Sequence, residues 1–181
     1  ATGAALAWSA KSQPRLPRMT RLLLVATLAL LATPPAIADE RYLDDRSTAT
    51  SVIASFYNAI GRQELTRAWS YYRHEPMSEA ETTAAFDDFA RGYADTASVT
   101  VLTGEEIAEG AAGSVYYRLP VAIDAVSNAG THTQFAGCYT LKLVQPANQV
   151  TPPFSPLHIE AGHLDPAKGE LGAILPLDCP D

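Results

Sequence analysis

The hydrophobic positions of this chain change their spacing twice, and each change marks a boundary. The first block is solid: Leu22 to Leu31 is a ten-residue apolar run interrupted only by small Ala26, Thr27 and Ala29. Met19 and Arg21 precede it, and Pro34-Pro35 and Ala36-Ile37-Ala38 follow. A basic start, a short apolar stretch and an A-x-A site make residues 19–38 read as a secretory signal peptide, cleaved after Ala38. The run is about half the roughly 20 residues that cross a bilayer, so a retained anchor is the weaker alternative. No cysteine stands at the cleavage point to accept a lipid. Residues 1–18 carry Lys11, Arg15 and Arg18 with no acidic residue, and read as an upstream extension or expression remnant ahead of Met19.

From Ser47 the apolar residues recur every three or four positions. Val52, Ile53, Phe56, Tyr57 and Ile60 form one helical stripe, with Gly61 as its stop. A shorter helix is expected from Glu64, with Leu65, Ala68, Trp69 and Tyr72 on one face. Ser78-Glu79-Ala80-Glu81 is a capping box that opens a third, whose apolar face is Ala85, Phe86, Phe89, Ala90 and Tyr93. Asp39–Arg46, ahead of all three, is polar and reads as frayed.

After Asp95 the period becomes two. Val99 and Val101 alternate with Ser98 and Thr100 in a strand that could continue through Glu105–Glu109. Ser114–Val126 is a long strand, with Pro120 implying an edge or a bulge. Ser127-Asn128-Ala129-Gly130 is a hairpin turn, and Thr131–Val144 returns as the partner. Gln145–Pro156 carries four prolines and reads as a stiff link; Leu157–Leu164 is a last short strand, followed by a tail. Three helices followed by hairpin-linked strands predict an α+β fold: helices packed on one face of a strongly curved antiparallel sheet. Residues 39–181 are expected to form a single domain.

The stretch SVIASFYNAIGRQELTRAWSYY, residues 51–72, resembles the opening of nuclear transport factor 2-like domains. There an aromatic-rich first helix passes through a short Gly/polar turn into a second helix bearing an Ala-Trp or similar pair. The resemblance implies a cone-shaped fold with a pocket at its wide end. Two departures stand out. The short strand that many members place between the second and third helices is not visible in Arg73–Met77, and the Pro-rich link before the last strand is not standard.

Charge narrows the partners. All 20 acidic residues but only 9 of the 13 basic ones fall in 39–181, so the expected mature chain carries a formal −11. Nucleic acids and anionic membrane surfaces are approached through Lys/Arg patches, so both are disfavoured. No further apolar stretch approaches spanning length, which argues against membrane insertion of the mature chain. The two cysteines, Cys138 and Cys179, read as one disulfide in an oxidising compartment, periplasmic or extracellular; two free thiols is the lesser alternative.

Candidate chemistry is sparse. His158-Ile159-Glu160-Ala161-Gly162-His163 is the densest titratable cluster, but strand alternation would put His163 opposite His158 and Glu160, so no metal site is expected. No nucleophile elbow, P-loop or dinucleotide fingerprint is present, and no cofactor is implied. Asp124 lies in a strand. Under the resemblance it could face a pocket beside Tyr57 or Tyr72 and act as a general base, as a carboxylate does in related isomerases and dehydratases of cone type. The alternative is a solvent-facing Asp124. Phe56, Tyr57, Trp69, Tyr72, Phe89 and Tyr93 are core by default and candidate pocket lining if the cone is open.

The leading expectation is therefore an exported, non-catalytic domain holding a small apolar ligand or a protein partner. A small pocket enzyme using Asp124 with a tyrosine is the alternative, and a homodimer packing through the sheet is compatible with either. Expressed from Met19 in a bacterium, the chain is expected to be exported and to begin at Asp39. An intact Met19 start in N-terminal mass analysis of exported material would refute the cleavage.

Overall fold

A single 14-residue strand, β3 (Ser114–Ser127), carries neighbours along both of its edges and organises the sheet. The computed structural model describes residues 41–180; the expected signal peptide, its upstream extension and the cleavage point lie outside the described residues. Three helices come first: α1 (Ala49–Gly61), α2 (Leu65–Trp69) and α3 (Glu79–Tyr93). Strands β1 (Thr96–Thr103) and β2 (Ile107–Ala111) lead into β3, followed by β4 (His132–Val144), β5 (His158–Ala167) and a one-turn helix α4 (Leu171–Ile174). The fold is α+β with a five-stranded antiparallel sheet, in which β1 and β2 share one edge of β3 and β4 and β5 follow on the other.

Local chemistry accounts for the helix ends. Thr48 caps α1, its hydroxyl accepting from Ser51 N at 3.0 Å. At α3 the expected capping box forms, Ser78 Oγ accepting from Glu81 N while Glu81 Oε2 accepts from Ser78 N. The second helix ends at Trp69, earlier than its periodicity suggests, and Ser70-Tyr71 form a turn that brings the chain to β5. Ile159 N donates to Tyr71 O at 2.7 Å, and Arg73 N donates to Ile159 O at 3.3 Å. Tyr72 thus forms an isolated parallel bridge to β5.

The expected continuous strand after Asp95 is broken into β1 and β2, and Pro120 supplies the reason. Gly104 N donates to Pro120 O at 2.8 Å, so the proline's missing N–H points to the same edge, into the gap between β1 and β2. A central strand tolerates proline here because its neighbour is interrupted opposite it.

Odd-numbered residues of β3 and β4 face the helices. Leu119, Val121, Tyr139 and Leu141 pack there with Ile53, Phe56 and Ile60 of α1, each large side chain contributing about 1.5–3 kcal/mol when removed from water. Tyr139 finds room because its opposite residue in β5 is Gly162, where any Cβ would strike the ring. On the other face, Pro120 and Ala122 are also fully buried. The C-terminal segment approaches this face. Helix α4 contacts β3, and Gly169 N donates to Gln134 Oε1 at 3.0 Å. The expected disulfide between Cys138 and Cys179 holds the segment, with Cα atoms 5.8 Å apart. Leu171, Ile174 and Leu175 are half-buried, whereas Leu177 is fully exposed.

The polar N-terminal segment is also not frayed over its described part. Asn58 Nδ2 donates to Arg41 O, Leu43 N donates to Asn58 Oδ1, and Arg67 donates to Leu43 O at 2.6 Å. Tyr71 Oη donates to Asp44 Oδ1 at 2.7 Å, and Asp45 N donates to Ser55 Oγ at 2.8 Å. These bonds explain why α1 buries Ser55 and Asn58 among apolar residues.

The disulfide closes a loop with a sequence separation of 41, for which the chain-entropy model gives roughly 4 kcal/mol. Cys179→Ser is expected to lose about 2–4 kcal/mol and lower the thermal midpoint by roughly 5–15 °C in a calorimetric scan. An unchanged midpoint would show that the tail adds no stability.

Candidate functional site

Between α3, the middle of α1 and the odd-numbered face of the sheet lies a cavity of about 570 Å³. Its walls are apolar. Tyr57 comes from α1, Phe89 and Tyr93 from α3, and Phe135 and Tyr139 from β4; Val99, Ile123 and Leu164 come from three further strands. The exposed lining residues Asp88, Gly92, Asp95 and Thr133 mark its mouth.

Inside, the decisive polar feature is a pair of phenols. The hydroxyls of Tyr57 and Tyr139 lie 2.6 Å apart and both residues are buried. The Tyr139 hydroxyl also bonds with that of Tyr72, so three phenols share the protons between them and leave lone pairs to accept. Burial pushes the Tyr57, Tyr93 and Tyr139 hydroxyls well above the usual phenol range, and raises Tyr72 as well. All four are neutral at physiological pH. They can hydrogen-bond and orient a ligand, but none can serve as an anionic base.

Asp124 is not in this cavity. It pairs in register with Gln134 on the opposite face of the sheet, and its Oδ2 lies 2.9 Å from His132 Nδ1. Its side chain is 21% exposed, more enclosed than a free surface carboxylate, and its second oxygen has no hydrogen-bond partner. The grouping of Asp124 with Tyr57 or Tyr72 is therefore corrected. Strand alternation puts Ile123 and Ala125 into the cavity and turns Asp124 away.

Of the six expected lining residues, Tyr57, Phe89 and Tyr93 line the cavity and three do not. Phe56 is fully buried core. Trp69 stacks on His74, ring centroids 3.7 Å apart. Tyr72 packs edge-on against Phe56, as the residue bridged to β5.

The histidine cluster also needs a correction in its reasoning. Strand β5 bulges at Glu160, because Thr140 pairs with Ala161 and Leu141 with Ile159. The extra residue resets the alternation, so His158, opposite Lys142, and His163, opposite Cys138, share a face. They stand four β4 positions apart, about 13 Å along the strand. His158 is buried, with Nδ1 2.9 Å from Pro156 O and Nε2 3.4 Å from Glu160 Oε2, and His163 is exposed. Among the described residues no three His, Cys, Asp or Glu side chains converge on a metal-sized site.

No protein-family model, no curated protein and no solved structure matches this chain.

The buried phenols generate an alkaline prediction. Five of the eight tyrosines, Tyr57, Tyr71, Tyr72, Tyr93 and Tyr139, are held above the ordinary value of 10. A folded-state value raised above the unfolded one contributes stability that is full below about pH 10 and is lost as pH rises further. Absorbance titration at about 295 nm is expected to show these five ionising only above pH 10, as the fold is lost. Smooth ionisation of all eight near pH 10 with the fold intact would contradict the buried cluster.

Proposed function

We propose that residues 39–181 are an exported, non-catalytic binding domain of the nuclear transport factor 2-like type, holding a small apolar ligand in a cone-shaped cavity. The carrying observation is the lining: five aromatic rings and several aliphatic side chains around about 570 Å³, with one hydrogen-bonded hydroxyl pair and no carboxylate at hydroxyl distance from it. Ligand sites typically enclose roughly 300–1,000 Å³ of mostly apolar space with a few placed polar groups.

The element order supports the family reading, with three helices ahead of a wholly antiparallel sheet. The bridge at Tyr72 supports it further, standing where many members of that family carry a short strand. Export is supported by the disulfide. It is also compatible with the finding that no described helix is long and apolar enough to cross a membrane. The isomerase or dehydratase alternative loses its proposed base, since Asp124 bonds His132 on the far face.

N-phenyl-1-naphthylamine, an uncharged dye that brightens in apolar surroundings, is expected to bind saturably at one site. Ala125→Trp, which fills the cavity from β3, should weaken that binding at least tenfold while leaving the thermal midpoint within a few degrees. Absence of saturable binding, or equal binding by the variant, would refute the proposal.

A further inference from the structure

The cavity's charge distribution carries a step that rests on the binding reading above and adds the class of ligand. We infer that the cavity selects organic cations, an ammonium group carried on a compact apolar or aromatic body, over uncharged and anionic analogues.

Three observations converge. The first is the wall. Tyr57, Phe89, Tyr93, Phe135 and Tyr139 surround one space. They meet at steep angles, 71° between Tyr57 and Tyr139 and 56° between Phe89 and Tyr93, so they form separate walls and not a closed stack. The face of an aromatic ring carries negative potential, and several rings around one space attract a cation that neutral or anionic ligands cannot exploit.

The second is the absence of any Lys, Arg or His among the lining residues, while Asp88 and Asp95 stand at the mouth. Arg91 lies 2.9 Å from Asp88, but both side chains are more than 70% exposed, and a pair so solvated offsets little. Counting Arg91 in full still leaves the mouth at a formal −1. An anion would meet carboxylates outside and ring faces inside, with no cation to receive it.

The third is the floor. The Tyr57–Tyr139 pair is neutral and offers a hydroxyl lone pair. A substituted ammonium can donate to that oxygen, and a quaternary one can lie against it without loss. The formal −11 of residues 39–181 adds a long-range field that concentrates cations and repels anions.

Three probes built on one benzyl group test this by displacement of N-phenyl-1-naphthylamine from the purified protein at low salt: benzyltrimethylammonium, its uncharged carbon isostere neopentylbenzene, and the anion phenylacetate. The ammonium is expected to displace the dye at about tenfold lower concentration than the isostere, with phenylacetate weakest. Asp88→Asn with Asp95→Asn should narrow the ratio to about threefold or less, and Phe135→Leu should narrow it independently. If the dye binds but the isostere displaces it as well as the ammonium does, the cation inference fails and the cavity reading stands. Tightest displacement by phenylacetate, or selectivity unchanged in both sets of variants, overturns it as well. If the dye itself does not bind saturably, both fall together.

Discussion

One phenylalanine holds the helical layer in place. Phe56 is fully buried, and its ring meets Tyr57 at 4.8 Å, Tyr72 at 5.6 Å, Tyr93 at 6.0 Å, Phe89 at 6.4 Å and Tyr71 at 6.5 Å. Those partners come from α1, from the turn after α2 and from α3. The third helix needs this anchor, because none of its fifteen residues is fully buried. It rests on the molecule through half-buried Phe86, Phe89 and Tyr93. Edge-to-face ring pairs add about 0.5–1.5 kcal/mol each beyond their buried area. Because α3 supplies one wall of the cavity, the size and shape of that space depend on a side chain that never touches it.

The hydroxyl network and the apolar walls play different parts. Ring contacts set where the walls stand. The Tyr57–Tyr139 bond holds the tips of two of those rings 2.6 Å apart, and so decides where the polar spot on the floor lies. Gly162 is the silent partner: the close approach of Tyr139 to the β5 backbone is available only where no Cβ intervenes. Under the proposed binding reading, the walls would offer a ligand an apolar shape and the phenols a hydrogen-bonding spot.

Much of the architecture was legible in the chain because periodicity reports burial directly. The stripe from Val52 to Ile60, the capping box at Ser78 and the hairpin at Ser127–Gly130 each carried a local signal, and each element forms where that signal lies. What alternation could not convey was coverage. It set Val99 and Val101 on one face of a strand, but whether an inward residue meets a helix or an empty space depends on where α3 ends, which no local pattern encodes. The Arg41–Arg46 strap was missed for a related reason. Its contacts are backbone and charged groups reaching buried Asn58, Ser55 and Tyr71, and polarity alone resembles solvation. The bulge at Glu160 defeated simple alternation outright, since one inserted residue exchanges the two faces beyond it.

The gap opposite Pro120 has a consequence for how molecules of this protein behave toward one another. The flank of the sheet opposite β5 is not one long strand but two short ones, eight and five residues, set end to end with Gly104–Glu106 between them. An uninterrupted flank would offer a row of unpaired amides and carbonyls on which a second chain could add itself as the next strand. Broken between β1 and β2, this flank gives an incoming strand no continuous register longer than the eight residues of β1. A single proline in the strand behind thus shortens the row of unpaired groups that this flank can offer another chain.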